Sequence, residues 1–160
     1  MKYAQSVEQI GFLILIMTIK NGRDALTQLQ AEVDVVIIGG GQAALATAYF
    51  LKRKKIPFVI LDDQSQAGGA WSHAWESLRL FSPNTWSSLS GWMMPTTEQT
   101  YPTRNEVIEY LSVYEQRYQF PIIRPVHVDH IEQNDGYLDV YAGEKYWRAK
   151  AVVSATGTWS

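Results

Sequence analysis

Residues Val33 to Ala44 read Val-Asp-Val-Val-Ile-Ile-Gly-Gly-Gly-Gln-Ala-Ala, and this stretch decides the fold. Val33 to Ile38 is a β-branched, apolar run that stops at three glycines. Continuous hydrophobicity of that kind predicts a strand buried on both faces, as in a parallel sheet. From Gln42 to Lys54 the periodicity becomes helical. Ala44, Leu45, Ala48 and Leu51 share one face, and Lys52 to Lys55 place positive charge at the C-terminal end. Ile56 to Leu61 reads as a second buried strand, with Pro57 tolerable only at its start. Strand, turn, helix and strand make a βαβ unit.

Within that unit, Gly39-x-Gly41-x-x-Ala44 is a dinucleotide fingerprint in the context that gives it meaning. Gly39 permits the tight turn, Gly41 lets backbone approach a pyrophosphate, and Ala44 keeps helix and strand close. The helix N-terminus then faces the negative charge. Asp62 ends the second strand, where a carboxylate can accept hydrogen bonds from both ribose hydroxyls and would repel a 2′-phosphate. Asp63 is its neighbour and is expected to be solvated.

Outward from the unit, residues 62–103 show no sustained period, which in a compact domain marks a functional or disordered stretch. The aromatic residues between Trp71 and Tyr101 argue against disorder. Trp86 and Trp92 are expected in the core, and Trp71 and Trp75 have plain core packing as an alternative to a cofactor contact. Thr103-Arg-Asn-Glu106 is a capping box opening a helix whose apolar stripe is Val107, Leu111, Tyr114 and Tyr118. Three short strands are expected at Val126–Glu132, Tyr137–Tyr141 and Lys145–Ala149, with a further buried run at Ala151–Ala155 before Thr156-Gly157. Tyr141 and Lys145 have the spacing of a short-chain dehydrogenase pair, but that pair needs a helix and Gly143 points to a hairpin. His127 and His130 fall on opposite faces of a strand, against a shared metal. His73 sits in a promising loop, where a single histidine is more often structural.

The bulk properties bound the rest. The 160 residues suffice for one domain with a real core. A net charge of -2 with no basic stripe excludes an electrostatic footprint for nucleic acid. With no cysteine, disulfides, thiolate catalysis and cysteine-ligated zinc are excluded, which fits a cytoplasmic protein. Ile10 to Ile19 is apolar but only half the length of a spanning helix, so no membrane span is expected. It reads as a buried or partner-covered helix, or as part of an upstream extension if Met17 is the start. Gly22 to Gln30 is expected as a polar lead-in helix. Two regions follow: an N-terminal extension and lead-in over 1–32, and a nucleotide-binding domain over 33–160.

The fingerprint does not separate FAD from NAD. Two further features favour FAD: the Gly-rich bend Gly68-Gly69-Ala70-Trp71 and the Ala155-Thr156-Gly157 turn. Together with GxGxxA and the strand-end acid, these make residues 33–160 resemble the N-terminal part of the flavin-containing monooxygenase-like family. The likeness is strongest to flavin monooxygenases associated with bacterial arsenic-resistance operons. It is carried by Leu78-Arg-Leu-Phe-Ser-Pro83, Trp86-Ser-Ser-Leu89, Gly91-Trp-Met-Met-Pro95, Tyr101-Pro-Thr-Arg104 and Ser154-Ala-Thr-Gly-Thr-Trp-Ser160.

The resemblance implies an α/β fold, a parallel Rossmann-type FAD-binding domain with a β-meander crossover, ending before the NADPH-binding domain of the family. It implies FAD as cofactor, with Gly39, Gly41, Gln42 and Ala43 along the pyrophosphate and Asp62 on the adenosine ribose. Gly69 and Trp71 would flank the flavin side, Val126 would meet the adenine edge, and Thr156 and Gly157 would close the site. Ser82 and Pro83 would lie near the isoalloxazine. NADPH would reduce the flavin in the full-length family, at a site absent from these residues. Oxygen activation to a flavin hydroperoxide would then oxidise a small nucleophilic substrate. Ala44, Asn84 and Ser90 depart from the usual family residues, the last two on the substrate side. Rival readings are another electron-transfer flavoprotein, or an FAD-binding module without activity of its own. Homo-oligomerisation stays open, and no catalytic residue is assigned.

Overall fold

The computed structural model describes residues 27–96 and 100–157. The strands are β1 (Gln28–Ile38), β2 (Phe58–Leu61), β3 (Ile122–Ile123), β4 (His130–Asn134), β5 (Tyr137–Ala142) and β6 (Lys145–Ser154). The helices are α1 (Gln42–Arg53), α2 (Asn84–Ser87) and α3 (Arg104–Tyr118), with a short 3-10 helix over Gly69–His73. One sheet has the order β3-β2-β1-β6-β5-β4. β1 runs parallel to both β2 and β6, and β2 parallel to β3. β4, β5 and β6 form the antiparallel meander. This is the expected α/β architecture, a parallel Rossmann-like core with a meander.

Several boundaries differ from expectation. β1 already begins at Gln28, so Gln28 to Gln30 are strand and not helix. They pair with the start of β6, Gln28 opposite Lys145 and Leu29 opposite Tyr146. The apolar run Ile10–Ile19 and the earlier part of the lead-in segment lie outside the described residues. The strand expected from Val126 starts only at His130. Lys145–Ala149 and Ala151–Ala155 are not two strands; they are joined in β6, which spans the meander and the parallel sheet. Its C-terminal run is less buried than expected: Ala151 and Ser154 are exposed. The register explains this, because β5 reaches β6 only as far as the Leu138–Ala149 pair while β1 continues along it to Ser154.

Two apolar clusters hold the layers together. Ile37, Phe58 and Ile60 of the sheet pack with Ala44, Leu45 and Ala48 of α1 and with Val107, Tyr110, Leu111 and Tyr114 of α3. A second cluster joins Val36, Val59 and Leu61 to Val140, Trp147 and Ala149, tying the meander to the parallel strands. α3 begins as predicted: the Glu106 amide donates to Thr103 Oγ1 and the Thr103 amide to Glu106 Oε2. Its tyrosines clasp the loop before it. Tyr110 Oη donates to the Trp92 carbonyl and accepts from the Leu89 amide, and Tyr114 Oη donates to the Ser90 carbonyl at 2.6 Å. Burial pushes both hydroxyls above the ordinary tyrosine value, so they stay protonated donors. The expected core position of Trp86 is not found, and the core alternative for Trp75 fails as well, at 61% exposure. Trp86 is 84% exposed and Phe81 94% exposed, while Trp92 is half-buried and stacks on Tyr110.

Candidate functional site

The glycine turn brings the carboxyl ends of β1, β2 and β6 together. Gly39 adopts a left-handed φ of 99°, and its amide donates to the Leu61 carbonyl at 2.7 Å. A Cβ on Gly39 would lie 2.5 Å from the Ala155 carbonyl oxygen, so its side chain is forbidden by β6 as much as by any ligand. α1 opens immediately after, and Gly41 at its N-cap offers no side-chain cap. The first turn carries no acidic residue either. Its orphan amides and the positive end of the helix therefore face the cleft without a competing carboxylate.

That cleft has a volume of about 990 Å³, at the upper end of the range for small-molecule sites. Gly39, Gly41, Gln42, Ala43, Asp62, Gly69, Trp71, Val126, Thr156 and Gly157 all line it. Of the sequence-predicted positions Ser82 and its neighbour Pro83 do not. For Ser82 the partner is local. Its Oγ lies 2.7 Å from Ser87 Oγ, in the turn that opens α2. His73, Gln64, Asp63 and His127 form the polar rim: His73 Nε2 is 2.6 Å from Gln64 Oε1, and Gln64 donates to Asp63 at 2.7 Å. Asp63 is half exposed, as expected of a solvated carboxylate. Among the described residues there is no group of three or more histidines, cysteines or acids able to hold a metal. Tyr141 and Lys145 stand on β5 and β6 of a hairpin, which dismisses the dehydrogenase pair.

Asp62 is the centre of the electrostatics. It is 2% exposed, and its Oδ1 accepts from the Gly40 amide at 3.0 Å. Its Oδ2 accepts from Arg124 Nε at 2.5 Å. Arg124 in turn donates from both Nη atoms to Glu115 of α3, at 2.8 and 2.7 Å. Burial alone would lower the guanidinium pKa; the hydrogen bonds it donates to Glu115 and Asp62 outweigh that and raise it above the usual arginine value. Gly40 is packed against this pair, since a Cβ there would sit 2.2 Å from Asp62 Oδ2 and 2.6 Å from Arg124 Nη2.

On the opposite wall, Gly68 and Gly69 take positive φ and start the 3-10 helix that carries Trp71. Gly69 lies against Gly41: a Cβ on it would come within 2.7 Å of the Gly41 Cα. Arg104, in the first turn of α3, holds this wall by donating to the carbonyls of Trp71 at 2.9 Å and Ser72 at 2.6 Å. Gly40, Arg104, Glu115 and Arg124 were not singled out from sequence. The available signal was that a buried carboxylate requires a cation, and Arg124 is embedded in the apolar run Pro121-Ile-Ile-Arg-Pro125.

The family model for pyridine nucleotide-disulphide oxidoreductases matches residues 36–160. The chain belongs to that family. Among relatives of this oxidoreductase family, an uncharacterized CzcO-like oxidoreductase of Geobacillus kaustophilus is 36% identical over 129 residues, covering 81% of this chain and 37% of the relative. CzcO of Bacillus subtilis, also an uncharacterized oxidoreductase, is 31% identical over 124 residues, covering 78% of this chain and 36% of its own. A solved flavin-containing monooxygenase from Stenotrophomonas maltophilia is 50% identical with a TM-score of 0.79, covering 81% of this chain and 40% of that one. A cyclohexanone monooxygenase structure, at 23% identity and TM-score 0.72, shares the fold. The chain is thus homologous to flavin-dependent oxidoreductases and monooxygenases, and spans about two-fifths or less of their length.

Proposed function

We propose that the cleft binds FAD and that the chain is the FAD-binding portion of an NADPH-dependent, flavin monooxygenase-like oxidoreductase acting on a small nucleophilic substrate. One observation carries the reading: an uncapped helix N-terminus, a buried strand-end carboxylate, a glycine-rich wall bearing Trp71 and the 154–157 turn converge on a single cleft. The donors suit a long dinucleotide. First-turn amides at Gly41, Gln42 and Ala43 would take the pyrophosphate, and Asp62 the adenosine ribose. The Val126 amide already donates to the Asp62 carbonyl at 2.8 Å, so its carbonyl oxygen is the group left to meet an adenine amino group. Gly69 and Trp71 would border the flavin side, and Thr156 and Gly157 would close over the cofactor.

When bound, FAD supplies the redox chemistry, accepting hydride and reacting with oxygen. The residues described here bind it, orient it and shield one side of it from water. The resemblance of the motifs from Leu78 to Arg104 to those of arsenic-operon flavin monooxygenases supports a small soft nucleophile as substrate, and the absence of cysteine fits a cytoplasmic site of action; no nucleic-acid or membrane partner is part of the reading. A second reading, electron transfer to a disulfide, is favoured by the family description alone. This chain contains no cysteine to serve as a redox pair.

The test is chemical. Protein purified in its yellow form and then denatured should release FAD in near-stoichiometric amount. Stoichiometric release of FMN or NAD instead would refute the assignment.

A further inference from the structure

We propose that Arg124, braced by Glu115, is the positioning residue that sets the Asp62 carboxylate for ribose recognition, although neither Arg124 nor Glu115 lines the cleft. The inference rests on the reading of Asp62 as the ribose acceptor and assigns that function a supporting shell. A carboxylate on a short side chain can still swing about two torsions, and its usefulness to a pair of vicinal hydroxyls depends on where its remaining lone pairs point. Here one oxygen is held by the Gly40 amide and the other by Arg124 Nε. Two bonds on different oxygens fix the carboxylate and leave each oxygen a second lone pair, the acceptors that this reading assigns to the ribose.

Arg124 can hold that orientation only if it is itself held. The bidentate fork to Glu115 does this, spending two further donors of the guanidinium on a rigid helix. Arg124 and Glu115 are both largely buried, at 14% and 11% side-chain exposure, so solvent does not loosen the fork. The charge count is also apt. One guanidinium between two carboxylates leaves a net negative charge, so the acid keeps its strength as an acceptor while its burial is offset. Below the glycine turn there is no slack, because the space a Gly40 Cβ would need is filled by Asp62 and Arg124. Orientation therefore passes from α3, through Glu115 and Arg124, to the floor of the cleft.

A merely neutralising cation would make the same stability contribution without setting direction, and the two roles separate in an Arg124→Lys variant. Lysine keeps the charge but is a single point, unable to hold Oδ2 and the Glu115 fork together. The full chain, wild type and variant, is titrated calorimetrically with ADP, with 2′,3′-dideoxy-ADP and with FMN, and circular dichroism monitors the fold. Wild type should prefer ADP over the dideoxy compound by about ten-fold or more, the loss expected for a hydrogen bond to a charged acceptor. In Arg124→Lys that preference should collapse to within about two-fold of unity, while dideoxy-ADP and FMN affinities hold within about three-fold. Glu115→Gln, which keeps Arg124 but weakens its fork, should give an intermediate preference, and it carries the test if the lysine variant does not fold. A wild-type preference retained in Arg124→Lys, or in Glu115→Gln where that variant is the one read, overturns the proposal. If wild type itself binds both nucleotides equally, the ribose reading of Asp62 fails, and this inference with it.

Discussion

Gly69→Ala should both unfold the protein more easily and distort the proposed cofactor cleft, and its cost can be worked from two separate terms. Gly69 sits at φ 51°, in the left-handed region, where an L-residue costs about 1–2 kcal/mol. The new Cβ would also lie 2.7 Å from the Gly41 Cα and 3.3 Å from its nitrogen. Those are backbone atoms at the mouth of α1, so no rotamer change relieves the contact and the two walls must part. Overpacking of this kind costs about 1–3 kcal/mol. The sum, about 2–5 kcal/mol, is a large part of the 5–15 kcal/mol that stabilises an ordinary domain. Gly143→Ala is the matched control: its φ is 58°, but nothing lies within 4 Å of the new Cβ, so only the conformational term of about 1–2 kcal/mol applies. Urea unfolding of both variants, with and without FAD, reads the difference. Gly69→Ala should also lose the FAD-induced shift in midpoint, which Gly143→Ala should keep. Equal midpoints for the two variants would refute the close-packed wall.

Other outcomes follow from the same structure. Asp62→Asn should weaken FAD binding by about ten- to a hundred-fold, from the lost charge-assisted ribose bond, while Asp63→Asn leaves it nearly unchanged. Titration by flavin fluorescence quenching distinguishes them, and equal losses would mean the acceptor has been misassigned. Tyr114→Phe should cost about 1–3 kcal/mol in chemical denaturation, because it strands the Ser90 carbonyl that the hydroxyl now serves. Asp139 is buried and held below the ordinary carboxylate value by hydrogen bonds from Arg148. A depressed folded-state pKa contributes stability at pH above 3.8 that is lost as the pH falls through the depressed value. Asp139→Asn should therefore be less stable than wild type by about 1.5–3 kcal/mol near neutrality, with the gap narrowing as the pH falls below 3.8 toward the depressed value. A gap that stays constant down to pH 2 would show that the carboxylate charge is not what stabilises the meander.

The βαβ unit was legible because its signals are local: an apolar run, a glycine turn and a helical period occupy consecutive residues. The Thr103 capping box was legible for the same reason, since both of its bonds close within one turn. What escaped depends on distant partners. Arg148 and Lys150 interrupt the hydrophobic pattern of β6, and the gap at Lys150 splits it into two apparent strands. In the structure they are cross-strand ion-pair partners, Arg148 with Asp139 and Lys150 with Asp34. Gln28 to Gln30 are too polar to look like strand and are drafted into the sheet only by the start of β6. The Arg124 brace joins the residue just after β2, a residue of α3 and one from the segment after β3, and no spacing rule relates those places. Exposed Trp86 marks a different boundary: residue type reports the gain available from burial, not whether a neighbouring surface is there to provide it.

The pairing of β1 with β6 sets a timetable for synthesis. Val36 cannot meet Val152 until the ribosome has delivered β6, yet β1 is among the first described segments to emerge. Until then the glycine turn, α1 and β2 can assemble around β1 through local contacts, but one edge of β1 stays unsatisfied. A sheet whose central ladder is its most distant one in sequence forms slowly, and in the interval that edge can recruit another nascent chain. Yield from expression should thus respond to translation speed and temperature more than the stability of the finished protein would suggest.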